Sequence, residues 1–315
     1  GLTTVILTQN LTIAGTEYVI GTSGDFFGDT NVSFVPSTIT INTVVYTIIY
    51  GTGPFTTADW TGVANFMISG FSSVADSAFY NNTTITNVHI GNSVQSIGLS
   101  AFRGATNYTS NLSSVSFESN SQLQTIGYSA FKFASSLTSI AIPDKVTTIG
   151  ADAFHTTIDL NSITFGTGSQ LNNIGVYAFY RTAVTTIAIP DGVFSIPSHA
   201  FFGTTALTTI TIPYSVNTIG ENAFLQTGLT TVSLTQNLTI AGTEYAIDTT
   251  VATFFGATNV SFVRSTITIN GVDYIIIAGT GEFTTAKWTN ASSPANFMIS
   301  GFSSVANGAL DSNMT

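Results

Sequence analysis

The sequence predicts a repeat solenoid, and three observations carry that prediction. A six-residue phrase, Ile-Gly-x-x-Ala-Phe or a close relative, occurs six times, ending at Phe102, Phe131, Phe154, Phe179, Phe201 and Phe224. The spacings of these Phe residues are 29, 23, 25, 22 and 23, and a period in the twenties marks stacked supersecondary units rather than a globular core. A second apolar phrase precedes each copy, as in Leu137-Thr-Ser-Ile140-Ala-Ile142-Pro143 and Leu207-Thr-Thr-Ile210-Thr-Ile212-Pro213. One such coil cannot bury its apolar side alone, so neighbouring coils must supply a continuous interior.

Within a coil, Leu, Ile and Ile at i, i+3 and i+5 are expected to point inward from a strand. Proline ends the strand, because it has no N–H for a ladder bond and favours a turn. In the return phrase Ala and Phe fill the interior, and Gly is expected to allow a tight bend beside the next coil. A buried Phe contributes about 1.5–3 kcal/mol of transfer free energy.

A larger repeat overlies the short one. Leu2–Tyr18 returns as Leu229–Tyr245 at an offset of 227, and Asn65–Ala75 returns as Asn296–Ala306. Between arrays lies a β-rich module without the short period. Its hairpins are expected around Thr12–Tyr18, around Asn270-Gly271 and, with a weaker turn, around Asn42-Thr43. The organisation predicted is the end of a repeat at 1–7, a module at 8–73, the array at 74–234, a second module at 235–304 and the start of another array at 305–315. The parent polypeptide is expected to be a tandem array of such units, with neighbours covering the uncapped ends.

Composition narrows the function. Charged residues are 7%, Ser and Thr together are 88 of 315, and net charge is −10. The surface is therefore hydroxyl-rich, and a phosphate backbone would be repelled, which argues against nucleic acid as a partner. There is no cysteine, which removes disulfides, thiolate nucleophiles and Cys-bound zinc together. The 29 uncharged residues from Thr30 to Ala58 alternate and are broken by Asn, Pro and Gly, a strand pattern, so no membrane insertion is expected in this segment.

The combined pattern Leu-Thr-x-Ile-x-Ile-Pro followed by Val-x-x-Ile-Gly-x-x-Ala-Phe, best seen in Leu137–Phe154 and Leu207–Phe224, resembles the BspA-like (Treponema pallidum type) leucine-rich repeat. The resemblance covers about Val74 to Leu234. It implies a leucine-rich-repeat array, a β-strand plus an irregular or short helical return per coil, with β-rich modules interspersed. It also implies secreted or cell-surface proteins of bacteria, some protists and some large viruses, often linked to adhesion and host-protein binding. The family often continues Ala-Phe-x-Gly-Cys, whereas this chain places Ala105 or Thr204 at the Cys position, a change expected to leave the fold intact.

No catalytic constellation emerges, and no enzyme, metal or cofactor is expected. His89, His155 and His199 lack metal-ligand spacing and are expected on loops or the surface. Asp144 and Asp191 follow Ile-Pro, where turn chemistry accounts for them. Two surface features are candidates. Outward strand positions Ser114, Ser116, Ser139, Ser162, Thr164, Thr186, Thr209, Thr211, Thr231 and Ser233, with Ala141 and Ala188, should form a flat hydroxyl ladder at the ~4.8 Å spacing of paired strands. Asn-x-Ser/Thr acceptor sites occur at Asn10, Asn31, Asn81, Asn82, Asn107, Asn111, Asn237, Asn259, Asn290 and Asn313, compatible with N-glycosylation in a eukaryotic or viral setting. The expectation is an extracellular or cell- or virion-surface structural protein that self-assembles end to end or laterally into a fibre, coat or adhesive stalk. The alternative is an adhesin that binds a host protein or glycan through the Ser/Thr face.

Overall fold

The structure is a computed structural model that describes residues 4–7, 11–13, 16–18, 23–26, 29–59, 62–106, 110–269, 272–278, 282–283, 297–300 and 303–305. It forms two compact units, Gly1–Val184 and Thr185–Thr315. Both are β-solenoids, and the single helical turn among the described residues is Thr57–Asp59.

In the first unit each coil contributes two parallel strands. The longer ones include Asn65–Ser69, Asn87–Ile90, Ser114–Phe117, Ser139–Ile142 and Ser162–Phe165; the short return strands include Ser73–Val74, Ser96–Ile97, Thr125–Ile126, Thr148–Ile149 and Asn173–Ile174. The return strands pair in unbroken register, Ile97 with Ile126, Ile126 with Ile149 and Ile149 with Ile174. Alternation decides which side is buried: in Ser139–Ile142, Ile140 and Ile142 are interior while Ser139 and Ala141 face solvent. Leu137, Leu160, Val146 and Leu171 close the remaining interior, each fully buried.

The repeated Phe forms a stacked column. Phe79, Phe102, Phe131 and Phe154 follow one another at 5.2–5.3 Å, and Phe154–Phe179 at 5.9 Å, with ring planes within 12° of parallel. Within the second unit Phe201, Phe224 and Phe254 also stack on one another, at 5.6 Å. Offset stacked pairs add about 0.5–1.5 kcal/mol each beyond area burial.

The bend beside Phe differs from the expectation. The left-handed residue is not the Gly of Ile-Gly but the second residue after it: Ser77, Ser100, Ser129, Asp152 and Tyr177, and in the second unit His199 and Asn222, all with φ between 54° and 59°. Glycine is required for closeness instead. A Cβ at Gly150 would stand 2.7 Å from the carbonyl carbon of Gly127 and the nitrogen of Tyr128 in the preceding coil. The Gly150 N–H donates to Ile126 O at 2.8 Å, which holds the coils at that separation.

Where a threonine fills the family's Cys position in three coils, its hydroxyl bonds a repeat Phe carbonyl, that of its own coil or, for Thr157, of the preceding one. Thr157 Oγ1 donates to Phe131 O (2.9 Å), Thr182 Oγ1 to Phe179 O (3.1 Å), and Thr227 Oγ1 to Phe224 O (2.7 Å).

Both module copies carry the same ladders. Val5 pairs with Phe34 and Val232 with Phe262, each in a parallel ladder; Leu11 pairs with Tyr18 and Leu238 with Tyr245, each antiparallel. Asn42 and Thr43 both have positive φ, 48° and 70°, so this less favourable pair of residues still makes the two-residue hairpin turn that matches strand twist. The equivalent Asn270-Gly271 lies outside the described residues, although its flanking strands pair as Ile269 with Val272.

Candidate functional site

The hydroxyl face is built by strand alternation. In the first unit Ser139 lies opposite Ser162 and Ala141 opposite Thr164; Ser114 lies opposite Asn87 and Ser116 opposite His89. In the second unit Thr186, Thr209, Thr231 and Ser261 form one row, and Ala188, Thr211, Ser233 and Val263 another. Every candidate position is half-buried or exposed. The row extends past the predicted set through Asn87, whose amide donates to Asn65 Oδ1 at 2.7 Å.

The expectation of an even ladder does not hold in the first unit. Strand Ser114–Phe117 ends one sheet and Ser139–Ile142 begins another, with no pairing between them, while the return strands of the same coils remain paired, Thr125 with Thr148. The turns beside this break differ in length. Seven residues, 118–124, link strand to return strand in the first coil, five, 143–147, in the next, and seven, 166–172, in the third. A short Pro-Asp-Lys turn thus sits between two longer ones.

A groove of about 750 Å³ lies on the strand face here, running from Ser114 to Thr164 across the three strand ends. Phe117 and Phe165 occupy the last inward position of the flanking strands and are only half-buried, whereas Ile142 at the same place is 3% exposed. At the turns, Glu118 Oε2 accepts from the Asn92 N–H (2.8 Å), and Lys145 Nζ donates to Gln122 Oε1 (2.5 Å). Asp144 lies against Gly166 and Gly168, where a Cβ would meet its carboxylate. The Val146 N–H bonds Pro143 O at 3.0 Å and Val193 bonds Pro190 O at 3.0 Å, so Asp144 and Asp191 sit in tight turns.

His89 departs from the expected loop or surface position: it is 6% exposed in a strand, with Nδ1 2.8 Å from Ser116 Oγ. Burial pushes its pKa down, against the pull of Glu118. Among the described residues no group of three His, Asp or Glu side chains is placed to hold a metal, and no helix is long and apolar enough to cross a membrane.

Of the acceptor asparagines, Asn81 is exposed at a left-handed turn position, and Asn259 is exposed with positive φ inside strand Ala257–Arg264. Asn82 Oδ1 accepts from the Thr84 and Ile85 N–H groups, Asn111 Nδ2 donates to Thr83 O, and Asn237 bridges Glu244 and Ile247. Asn31 lies in strand Asp29–Pro36. Asn10, Asn107, Asn290 and Asn313 lie outside the described residues.

One cluster escaped the sequence reading. The residue after Ala-Phe in successive coils of the first unit is Tyr80, Arg103, Lys132, His155 and Tyr180. The Arg103 guanidinium lies 5.3 Å from the Tyr80 ring and 5.7 Å from Phe133; His155 stacks on Tyr180 at 4.4 Å; Lys132 pairs with Asp152 at 3.2 Å. Burial, then the Lys132 charge, hold the His155 pKa at about 4. Reading the sequence by repeat phase, rather than residue type, would have found this row.

Comparison with known proteins places the fold. A family described as BspA type Leucine rich repeat region matches in six copies over residues 61–174 and 124–250. Among solved structures, the chain is similar to the T. pallidum leucine rich repeat protein TpLRR (20% identity, 61% of this chain and 86% of that one, TM-score 0.44). It is also similar to the pneumococcal vaccine antigen PcpA (14%, 89% and 96%, 0.35) and to a leucine-rich repeat protein from Bacteroides ovatus (20%, 86% and 82%, 0.34). No curated protein matches, and the family matched is not a catalytic one. The recurring strand, close-packed glycine and buried Phe, in six matched copies covering more than half of the sequence, make this chain a member of the BspA-type leucine-rich-repeat family.

Proposed function

We propose that this is a non-enzymatic structural protein of an extracellular, cell or virion surface, built of tandem solenoid units that assemble into a fibre, coat or adhesive stalk. One observation carries the reading. Strand Thr231–Leu234 pairs on one side with array strand Thr209–Ile212 and on the other with module strand Ala257–Arg264. Array and module therefore share one parallel ladder, so main-chain bonding can carry across the junction from one repeated part to the next. Scarcity of charge favours the same role, since few like charges oppose lateral contact. Electron microscopy of the native material beside the isolated 315-residue chain tests it. Ordered fibres or sheets with an axial repeat of one superrepeat are expected, and singly dispersed particles of the native material would refute the structural role.

A second reading, an adhesin that takes a host protein or glycan on the strand face, is favoured by the groove between Ser114 and Thr164, because concavity with converging polar groups is the usual form of a ligand site.

A further inference from the structure

We propose that the groove spanning Ser114–Phe117, Ser139–Lys145 and Thr164–Gly166 binds a neutral oligosaccharide, an inference that rests on the adhesin reading of the strand face. Its size comes first. At about 750 Å³ it lies within the range of sites that enclose small organic ligands, whereas the outward rows elsewhere are ladders of single hydroxyls.

The shape excludes an inserted peptide strand. Parts of Ser114–Phe117 and Ser139–Ile142 lie with Cα atoms within 8 Å of one another, yet the two strands do not pair. An added strand between them would need roughly 9.6 Å, twice the interstrand spacing. The separation instead suits a group that both donates and accepts over a short reach, as a sugar hydroxyl does.

The chemistry excludes an anionic ligand. Two carboxylates, Glu118 and Asp144, line the groove beside a single cation, Lys145, already joined to Gln122. A sulfated or acidic sugar would meet like charge in a chain of net charge −10. A neutral pyranose has what the lining complements. Its C–H face matches the half-exposed rings of Phe117 and Phe165, and its hydroxyls match the exposed Ser139 and Thr164 hydroxyls and the Asp144 carboxylate. Gly166 and Gly168 leave room for that carboxylate, since a Cβ at Gly166 would collide with it.

The test is titration calorimetry of the 315-residue chain with neutral hexose oligosaccharides, alongside acidic oligosaccharides and a set of purified extracellular proteins. Neutral oligosaccharides should bind. Ala141→Trp fills the groove and should abolish binding. Leu99→Trp is the control, because Leu99 is 46% exposed and lies outside both the groove and the strand face, and it should leave affinity unchanged. Asp144→Ala, at an exposed residue, should weaken binding by about tenfold, the worth of one charge-assisted hydrogen bond. Thermal melts of the variants establish that each is folded. The proposal is overturned if only acidic sugars bind, or if Ala141→Trp leaves neutral binding intact. Binding of a purified protein to the strand face without any sugar overturns the oligosaccharide and keeps the adhesin reading; binding of neither class overturns both.

Discussion

Ser129 occupies the left-handed position of its coil, with φ +54°, is 1% exposed, and has a hydroxyl without a hydrogen-bond partner. Its main chain is fully used: its N–H donates to Ala151 O (2.9 Å) and its carbonyl accepts from Lys132 N–H (3.1 Å). Ser129→Gly keeps both bonds. It removes the Cβ that makes left-handed φ unfavourable, about 1–2 kcal/mol, and a buried unsatisfied hydroxyl, about 1–3 kcal/mol. Against this stand the greater chain entropy of glycine, about 0.5–1 kcal/mol, and the packing of one small side chain, of similar size. The expected net is a gain of about 2 kcal/mol, which for a chain of 315 residues raises Tm by roughly 3 °C. Urea unfolding followed by far-UV circular dichroism should show a higher midpoint with unchanged slope. Ser129→Ala separates the contributions: it removes the hydroxyl and keeps the Cβ, so it should gain less than glycine. A lower midpoint for Ser129→Gly would refute the reasoning, because it would mean that neither the strain nor the unsatisfied hydroxyl costs stability.

Phe154→Ala removes a fully buried ring stacked on Phe131 and Phe179 and should cost about 3–5 kcal/mol, read as a drop in denaturation midpoint with faster amide exchange in both adjoining coils. Gly150→Ala forces a methyl against the main chain of Gly127 and Tyr128, which cannot swing aside as a side chain could, and should lose about 1–3 kcal/mol in the same assay. His155 is held neutral with a pKa of about 4, below the ordinary value of about 6.5. The unfolded chain therefore binds the extra proton first as pH falls, so this contribution is complete above about pH 6.5 and is lost towards about pH 4. A half-exposed site of this kind contributes about 1–2 kcal/mol after solvent screening. His155→Gln should flatten the fall in stability over that window, and an unchanged profile would contradict the assignment.

The period of Ile-Gly-x-x-Ala-Phe determined by itself that the chain is a solenoid, which strand residues point inward, and that one Phe per coil joins a buried column. Those features are local and repeated, so alternation and spacing suffice to read them. The hydroxyl rows were legible for the same reason, since Ser139 and Ser162 must face outward once Ile140 and Ile163 face in. Tertiary structure decided what depends on contact between coils. Gly150 reads as a bend residue in the sequence, but it is a contact residue, because the carbonyl it would strike belongs to a coil 23 residues earlier. Repeat phase aligns Arg103, Lys132, His155 and Tyr180, but which of them touch, and which turn to Asp152 or Phe133 instead, is set by contact between coils. The groove at Asp144 lies where two neighbouring strands come close without pairing, beside a turn two residues shorter than those on either side. Sequence alternation specifies the direction of a side chain; how far apart neighbouring strands settle is set by packing among all the turns and side chains between them.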